Sequence, residues 1–320
     1  MHRGLIPKTL NRYRQIIQMN HNSVEKLLPL RAKFVRILDN PGIESLLMEA
    51  ASLLPSVQKY TNLEGPVDCL RSLESKLIET FSRKMLPQFG ALLVVDLAIK
   101  RINQLVEMRL PSALACEVAA SFERLVQFLD SPPSDYWIGS DYFLKDLRVF
   151  GGFSIPCGAQ DVDLLSAFNR RGALKAWFLE LDFLLGCRVL KLGGPRWLRI
   201  HTDPRFTSQF NETGWEACYL RIAELLRMYP TAKGMVGTSW FYDPQLITVS
   251  PRLGYLQTTP MNGGAFLVRN GPGAIHTERA TSTSPSRRAL FESGEYLPIC
   301  YTIVWEREQI LNWAEHRPNV

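Results

Sequence analysis

"WLRIHTDPRFTSQFNETGWEACYLRIAELLRMYPTAKGMVGTSWFYDP" spans residues 197 to 244 and decides how the second half of the chain is read. "RWLRIHT" has the texture of a strand, and Asp203-Pro204 ends it in a turn. Thr213 and Glu216 have the spacing of a capping box for "WEACYLRIAELLRMY", whose apolar positions 215, 218, 222, 225 and 226 form one helical stripe. "GMVGTSWFY" is then a second strand. If the strand runs on to Tyr242, then Met235, Gly237, Ser239 and Phe241 face one way and Val236, Thr238, Trp240 and Tyr242 the other. Strand, helix, strand is an α/β alternation.

The same alternation continues on both sides. Asp243-Pro244 and Ser250-Pro251 each pair a capping residue with a proline suited to a first helical turn. Pro251 cannot lie inside a helix begun at Pro244 without a kink, so two short turns are expected. "GAFLVRNG" and "YLPICYTIVW" read as strands, "SRRALFES" between Ser284-Pro285 and Gly294 as a helix, and "REQILNWAEH" as the last helix. Upstream, "DLRVFGGFSIP" reads as strand and turn, "LLSAFNRRGALKAWFLELDFLLG" as helix, and "CRVLKLG" as strand.

Residues 1 to about 130 have another texture. "SVEKLLPLRAKFVRIL", "GIESLLMEAASLL", "CLRSLESKLIETFSRKML", "ALLVVDLAIKRINQLVEMRL" and "SALACEVAASFERLVQFL" place apolar residues at helical spacing. "DSPPSDYW" breaks that pattern at 130 to 137, and all seven tryptophans lie from Trp137 onward. The predicted organisation is an all-helical domain over 1–134 and an α/β domain with a mixed sheet over 135–320.

Composition narrows the function classes. The net charge of +6 over 320 residues comes without a dense Lys/Arg tract, which argues for anionic small ligands and against nucleic acid. The run "FGALLVVDLAI" is too short to span a bilayer and is broken by Asp96, so it reads as a buried helix. The six cysteines are scattered with no CxxC pair, and Cys69, Cys116, Cys187 and Cys218 sit in apolar surroundings, as buried free thiols do. A reducing cytoplasm suits them. The first 24 residues lack Asp and Glu, yet they are short of Ser and run straight into a helical pattern, which argues against a targeting peptide.

Chemistry concentrates near residue 240. Tyr242 and Asp243 are expected at the carboxyl end of a strand, where open α/β sheets hold ligands, with the small residues around Gly237 leaving room. There a Tyr hydroxyl serves as an acid and an Asp orients an amine. The plain alternative is an aromatic core strand with Asp243 as a helix cap. "GPGAIHTERATSTSPSRR" (271 to 288) reads as a polar loop whose Arg279, Arg287 and Arg288 meet an anionic group.

In order and length, residues 197 to 268 resemble the central part of the GNAT superfamily of acyltransferases. In that family a strand ends in a P-x-x-R-like loop, then come a long helix, a strand, a short helix and a strand. Pro204 and Arg205 begin the corresponding loop here, and "SPRLGYLQ" stands where the short helix ends near an aromatic, Tyr255. The resemblance implies a GNAT-like sheet and transfer of an acyl group from acyl-CoA or an acyl carrier thioester to an amine. It implies a donor across the strand end at His201 and Arg205, Tyr242 or Asp243 managing the amine proton, and Trp240, Tyr255, Arg287 and Arg288 contacting substrate. Its partners are a small molecule and an acyl carrier protein. In place of the family's closely spaced pyrophosphate-binding glycines, "FTSQFNET" separates Arg205 from Gly214.

A second pattern, His201-Thr-Asp203 with a distant His276 and Arg287, resembles the ligands of Fe(II)/2-oxoglutarate oxygenases. It implies an iron held by two His and one Asp, with Arg287 gripping the co-substrate carboxylate. That reading requires the strands bearing 201 and 276 to be near neighbours; the acyltransferase reading requires them apart. A third reading is a non-catalytic helical adaptor or binding protein. No G-x-S-x-G elbow, Walker loop, G-x-G-x-x-G turn or clustered Cys/His zinc pattern occurs.

Overall fold

The structure, a computed structural model, describes residues 24–57, 66–171, 182–203, 205 and 207–317. The segment read against a targeting peptide lies outside them, apart from residue 24. The fold is mixed α/β with an open sheet, and the chain divides into two compact units, 1–157 and 158–320. No helix among the described residues is long and apolar enough to cross a membrane.

The first unit is built from α1 (24–38), α2 (Ile43–Val57), α3 (Pro66–Phe81), α4 (Leu86–Glu107), α5 (Ser112–Leu129) and α6 (Asp141–Phe150), followed by the short strand β1 (Ser154–Pro156). α4 is its axis: Ala91, Leu92, Leu93, Val94, Val95 and Ala98 are fully buried. Asp96 is tolerated there because Arg31 and Lys100 meet its carboxylate at 3.3 and 2.6 Å. The proline-rich segment 130–140 packs on α4. A Cβ on Gly90 would stand 2.5 Å from the Tyr136 carbonyl oxygen, and Trp137 meets Phe89 with ring centroids 5.8 Å apart. Residues 146–150, read from sequence as strand, are the end of α6. Phe143, Leu147 and Phe150 recur at helical spacing, and the Tyr136 hydroxyl donates to Asp146 Oδ2 at 2.6 Å. The division between units therefore falls after α6 rather than at the prolines.

The second unit holds β2 (Gln160–Phe168), α7 (Phe183–Leu192), β3 (Gly194–Thr202), α8 (Glu212–Met228), β4 (Gly234–Ser239), α9 (Leu246–Val249), α10 (Tyr255–Asn262), β5 (Phe266–Pro272), α11 (Ala274–Thr281), α12 (Pro285–Glu292), β6 (Ile299–Glu306) and α13 (Arg307–Glu315). Its strands lie in the order β2-β3-β4-β6-β5, with β3 and β4 parallel and the other neighbours antiparallel. The carboxyl ends of β3, β4 and β5 consequently share one edge.

Three segments differ from the sequence reading. Residues 164–168, read as helix, close β2. Residues 187–192, read as strand, belong to α7, where Leu185, Val189 and Leu192 recur along one face and pack on Trp197 and its neighbours. The polar loop 271–288 contains α11. Cys116 and Cys187, read as buried, are exposed; Cys218 is buried.

One face of the sheet buries Trp197, Val236, Val268 and Val304 beneath α7. The other carries Met235, Ile303 and Trp305, on which α8 and α13 pack: the Tyr219 and Trp313 rings lie 5.3 and 5.2 Å from Trp305.

Candidate active site

The parallel pairing of β3 with β4 runs from Leu198↔Met235 to Ile200↔Gly237 and stops there. Each strand continues without the other. β3 stays paired with β2 out to Thr202, and β4 with β6 out to Ser239. The pairing of the two parallel strands thus ends before His201-Thr202 and Thr238-Ser239. Thr238 is exposed there. This is the position at which open α/β sheets receive ligands.

Polar side chains line one sheet face at that strand end. Cross-strand pairing sets Asp161 opposite His201 and Asp163 opposite Arg199, so all four share a face. His201 Nε2 lies 2.7 Å from Asp163 Oδ2; Asp163 is almost fully buried, while the His201 side chain keeps 16% of its surface. Arg199 donates to Ser166 Oγ at 2.9 Å, to the Ala167 carbonyl at 2.7 Å and, on the neighbouring strand, to Thr238 Oγ1 at 3.3 Å. Thr238 and Thr302 hydroxyls are 2.9 Å apart, and Asn270 Nδ2 donates to Thr302 at 2.9 Å. A carboxylate-oriented imidazole beside an anchored guanidinium is the base-plus-orienter arrangement of acid–base and nucleophilic catalysis. Of these residues the sequence reading names only His201. The signal available for the rest is "DVD" in β2, two carboxylates on one face of a strand, against R-x-H in β3.

Tyr242 and Asp243 stand elsewhere. Ser239 Oγ accepts from Phe241 N at 3.2 Å and turns the chain into a 3-10 turn, Trp240–Tyr242. That turn brings the Tyr242 hydroxyl to the Gly237 face: a Cβ on Gly237 would lie 3.0 Å from it and 2.7 Å from Ile200 Cγ1. The space read as room for a ligand is filled by Tyr242 and Ile200. Burial pushes the Tyr242 phenol far above its ordinary range, with a smaller contribution from Cys218. Asp243 is buried, its two oxygens accepting Ile299 N at 2.9 Å and Gln245 N at 3.1 Å, and it does not cap the helix that follows. Burial raises its carboxyl despite those bonds and Arg269.

Arg205 doubles back onto Asp203, donating from Nε at 3.0 Å and from Nη2 at 2.6 Å to a carboxylate buried in the loop. The following helix is capped by Asn211, whose Oδ1 accepts Gly214 N at 2.9 Å, and not by Thr213. Glu212 stands in its first turn. Tyr255, on α10, puts its ring 6.5 Å from Trp215, and its phenol, pushed up to about 12 by burial and then by Glu212, has no hydrogen-bond partner among the described residues.

Trp240 packs with Leu246 and Ala280, and the buried Arg287 guanidinium lies 4.9 Å from its ring; Arg288 is exposed. His276 is on α11, beyond β5, whereas His201 ends β3. Three strand positions separate β3 from β5, roughly 14 Å at about 4.8 Å each. Among the described residues no three His, Cys, Asp or Glu side chains group so as to hold a metal. His201, Asp203 and His276 are not brought together.

Comparison with protein-family models, curated proteins and solved structures finds no match to this chain.

Proposed function

We propose that the second unit is a GNAT-like acyltransferase that moves an acyl group from a thioester donor to an amine. The observation that carries this reading is the parting of parallel β3 and β4 at their carboxyl ends, with the His201–Asp163 pair at the rim. The reach β3, loop, α8, β4 follows the order of the family's central segment. Backbone freed from pairing between two strands suits an extended, amide-bearing arm such as pantetheine, which can lie as a strand lies.

The chain's own groups supply the rest. Asp163 fixes the His201 ring through Nε2, leaving Nδ1 to take the proton from the attacking amine. The nitrogen bonds to the thioester carbonyl carbon, the carbon–sulfur bond breaks, and the proton passes on to the departing thiolate. Arg199 lies beside the path to meet charge on the carbonyl oxygen. Roles first read onto Tyr242 and Asp243 pass to His201, because general acid–base work requires reach to the reacting atom. The capped, acidic start of α8 and the Asp203-bound Arg205 do not favour a diphosphate there, so a thioester on an acyl carrier protein fits better than acyl-CoA.

Calorimetric titration with acyl-CoA and with acyl carrier protein tests the reading. Binding of either donor is expected to survive His201→Gln while transfer to an amine falls by 10² or more, about the share of a general base. Binding of neither donor removes the proposal.

A further inference from the structure

A run of hydrogen bonds crosses the sheet of the second unit from β5 to β2, on the face that carries His201. Asn270 Nδ2 on β5 donates to Thr302 Oγ1 on β6 at 2.9 Å, and the paired Thr302 and Thr238 hydroxyls of β6 and β4 are 2.9 Å apart. Arg199 on β3 donates from Nη1 to Thr238 Oγ1 at 3.3 Å, while its other nitrogens are held by Ser166 Oγ and the Ala167 carbonyl of β2. Cross-strand threonine pairs stabilise a sheet whichever hydroxyl donates. This pair has a direction. A hydroxyl has one proton to give and two lone pairs to fill. Thr302 is buried, at 7% exposure, and the Asn270 amide already points at its oxygen. Among the described residues its proton reaches one acceptor, Thr238 Oγ1. Were Thr238 the donor instead, the Thr302 O–H would be buried without an acceptor, which native proteins avoid. The order is therefore Asn270 to Thr302 to Thr238, with Arg199 arriving at Thr238 from the other side. Both lone pairs of Thr238 Oγ1 are filled and its proton is unspent. Thr238 is exposed, so that proton is open to a ligand.

We propose that the Thr238 hydroxyl is the hydrogen-bond donor that receives the carbonyl oxygen of the acyl thioester. The proposal rests on the acyl-transfer reading and adds a named contact to it. β3 and β4 are last paired at Ile200 and Gly237, so His201 and Thr238 are the next residues of their strands, and the base and the donor stand at the same strand end. As the amine nitrogen bonds to the carbonyl carbon, the π pair of the C=O bond moves onto oxygen. Thr238 donates to that oxygen and keeps its proton; when the carbon–sulfur bond breaks, the pair returns and the carbonyl re-forms. Two donors on the Thr238 oxygen, one of them a cation, polarise its O–H and strengthen it as a donor. Held from β3 and β6, the hydroxyl is in place before charge develops, which is the condition for stabilising a transition state. Arg199 brings its charge to the same oxygen with Thr238 between them.

The test uses the full chain with acetyl-CoA and with acetylated acyl carrier protein, each labelled with carbon-13 at the thioester carbonyl, and no amine. Calorimetry reads donor binding, and infrared difference spectroscopy reads the labelled carbonyl band, which a hydrogen bond moves to lower frequency. The band of the donor bound to the wild-type protein is expected below its position on Thr238→Val, with donor affinity changed by no more than about threefold. Thr238→Ser keeps the hydroxyl and should return the band to the wild-type position. A residue that only shapes the sheet would not move the carbonyl band. Thr238→Ala takes the place of Thr238→Val if the latter does not fold. A bound donor whose band is the same on the wild-type protein and on the folded variant lacking the hydroxyl overturns the role of Thr238 and leaves the acyl-transfer reading standing. Binding of neither donor to the wild-type protein overturns both.

Discussion

Gly237 shows how a single position sets which face of β4 is full. Its missing Cβ is where the Tyr242 hydroxyl and the Ile200 side chain meet. Gly237→Ala should therefore cost about 1–3 kcal/mol by overpacking. Because Tyr242 supplies one of the two contacts, Gly237→Ala with Tyr242→Phe should be less destabilised than the sum of the single changes. Chemical denaturation of the four proteins in this cycle checks it, and additivity would show that the two residues do not compete for space. Strict strand alternation through Tyr242 gives the wrong face, because the Ser239 hydroxyl takes the Phe241 N–H and the chain leaves the strand three residues early. A side-chain bond to backbone two residues on leaves no periodic trace in sequence.

His276 gives a pH prediction at the same scale. Burial, and then Arg279, lower its pKa from the ordinary 6.5, so the folded state favours the neutral ring. The group's contribution to stability is present above about pH 6.5 and is lost as pH falls through the depressed folded value. Urea midpoints should accordingly decline below pH 6.5 in the native protein and decline less in His276→Gln. An unchanged slope would show that other groups govern the acid limb.

At the scale of elements, the helix α8 was legible and its start was not. Residues 215, 218, 222, 225 and 226 are all buried, as their spacing requires. Thr213 and Glu216 have capping-box spacing, yet Asn211 caps the helix and Glu216 instead receives Arg317 Nε at 2.5 Å. Gly214 lets the loop fold against the helix start, where a Cβ would lie 2.2 Å from the Gln209 carbonyl oxygen, and that contact moves the first turn upstream. Asn211→Ala should cost about 1 kcal/mol and Thr213→Ala no more than a few tenths. Equal costs would return the cap to Thr213. The exchanged assignments around residues 164–192 have a related cause. "DLLSAF" and "CRVLKL" are short apolar runs that fit either period, and only tertiary packing separates them: β2 pairs with β3, and α7 lays Val189 on Trp197. The site suffered more than the fold. His201 stands at a strand end in both readings, but Asp163 is 38 residues away in sequence and reaches it only through antiparallel register.

At the scale of the molecule, the proline-rich segment at 130–137 is a change of direction within the first unit. The composition shift it marks is real, since six of the seven tryptophans lie beyond 157, but Trp137 packs on Phe89 and Phe143 in the helical unit. A cut at 134/135 would leave α6 attached to the second unit without α4, uncovering Phe143, Leu147 and Phe150, all now buried. A cut after residue 157, where the units divide, leaves α6 with both α4 and β1. The second unit has the material for a separate core: α7 covers one sheet face at Trp197 and Val236, and α8 and α13 cover the other at Trp305. Fragment 158–320 is therefore expected to be soluble, to give a mixed α/β circular dichroism spectrum and to melt cooperatively. Fragment 135–320 should bind a dye specific for exposed apolar surface and aggregate, since an uncovered amphipathic helix presents a contiguous apolar face. Indistinguishable behaviour of the two fragments would mean that α6 finds other cover, and the first unit would then end at the prolines after all.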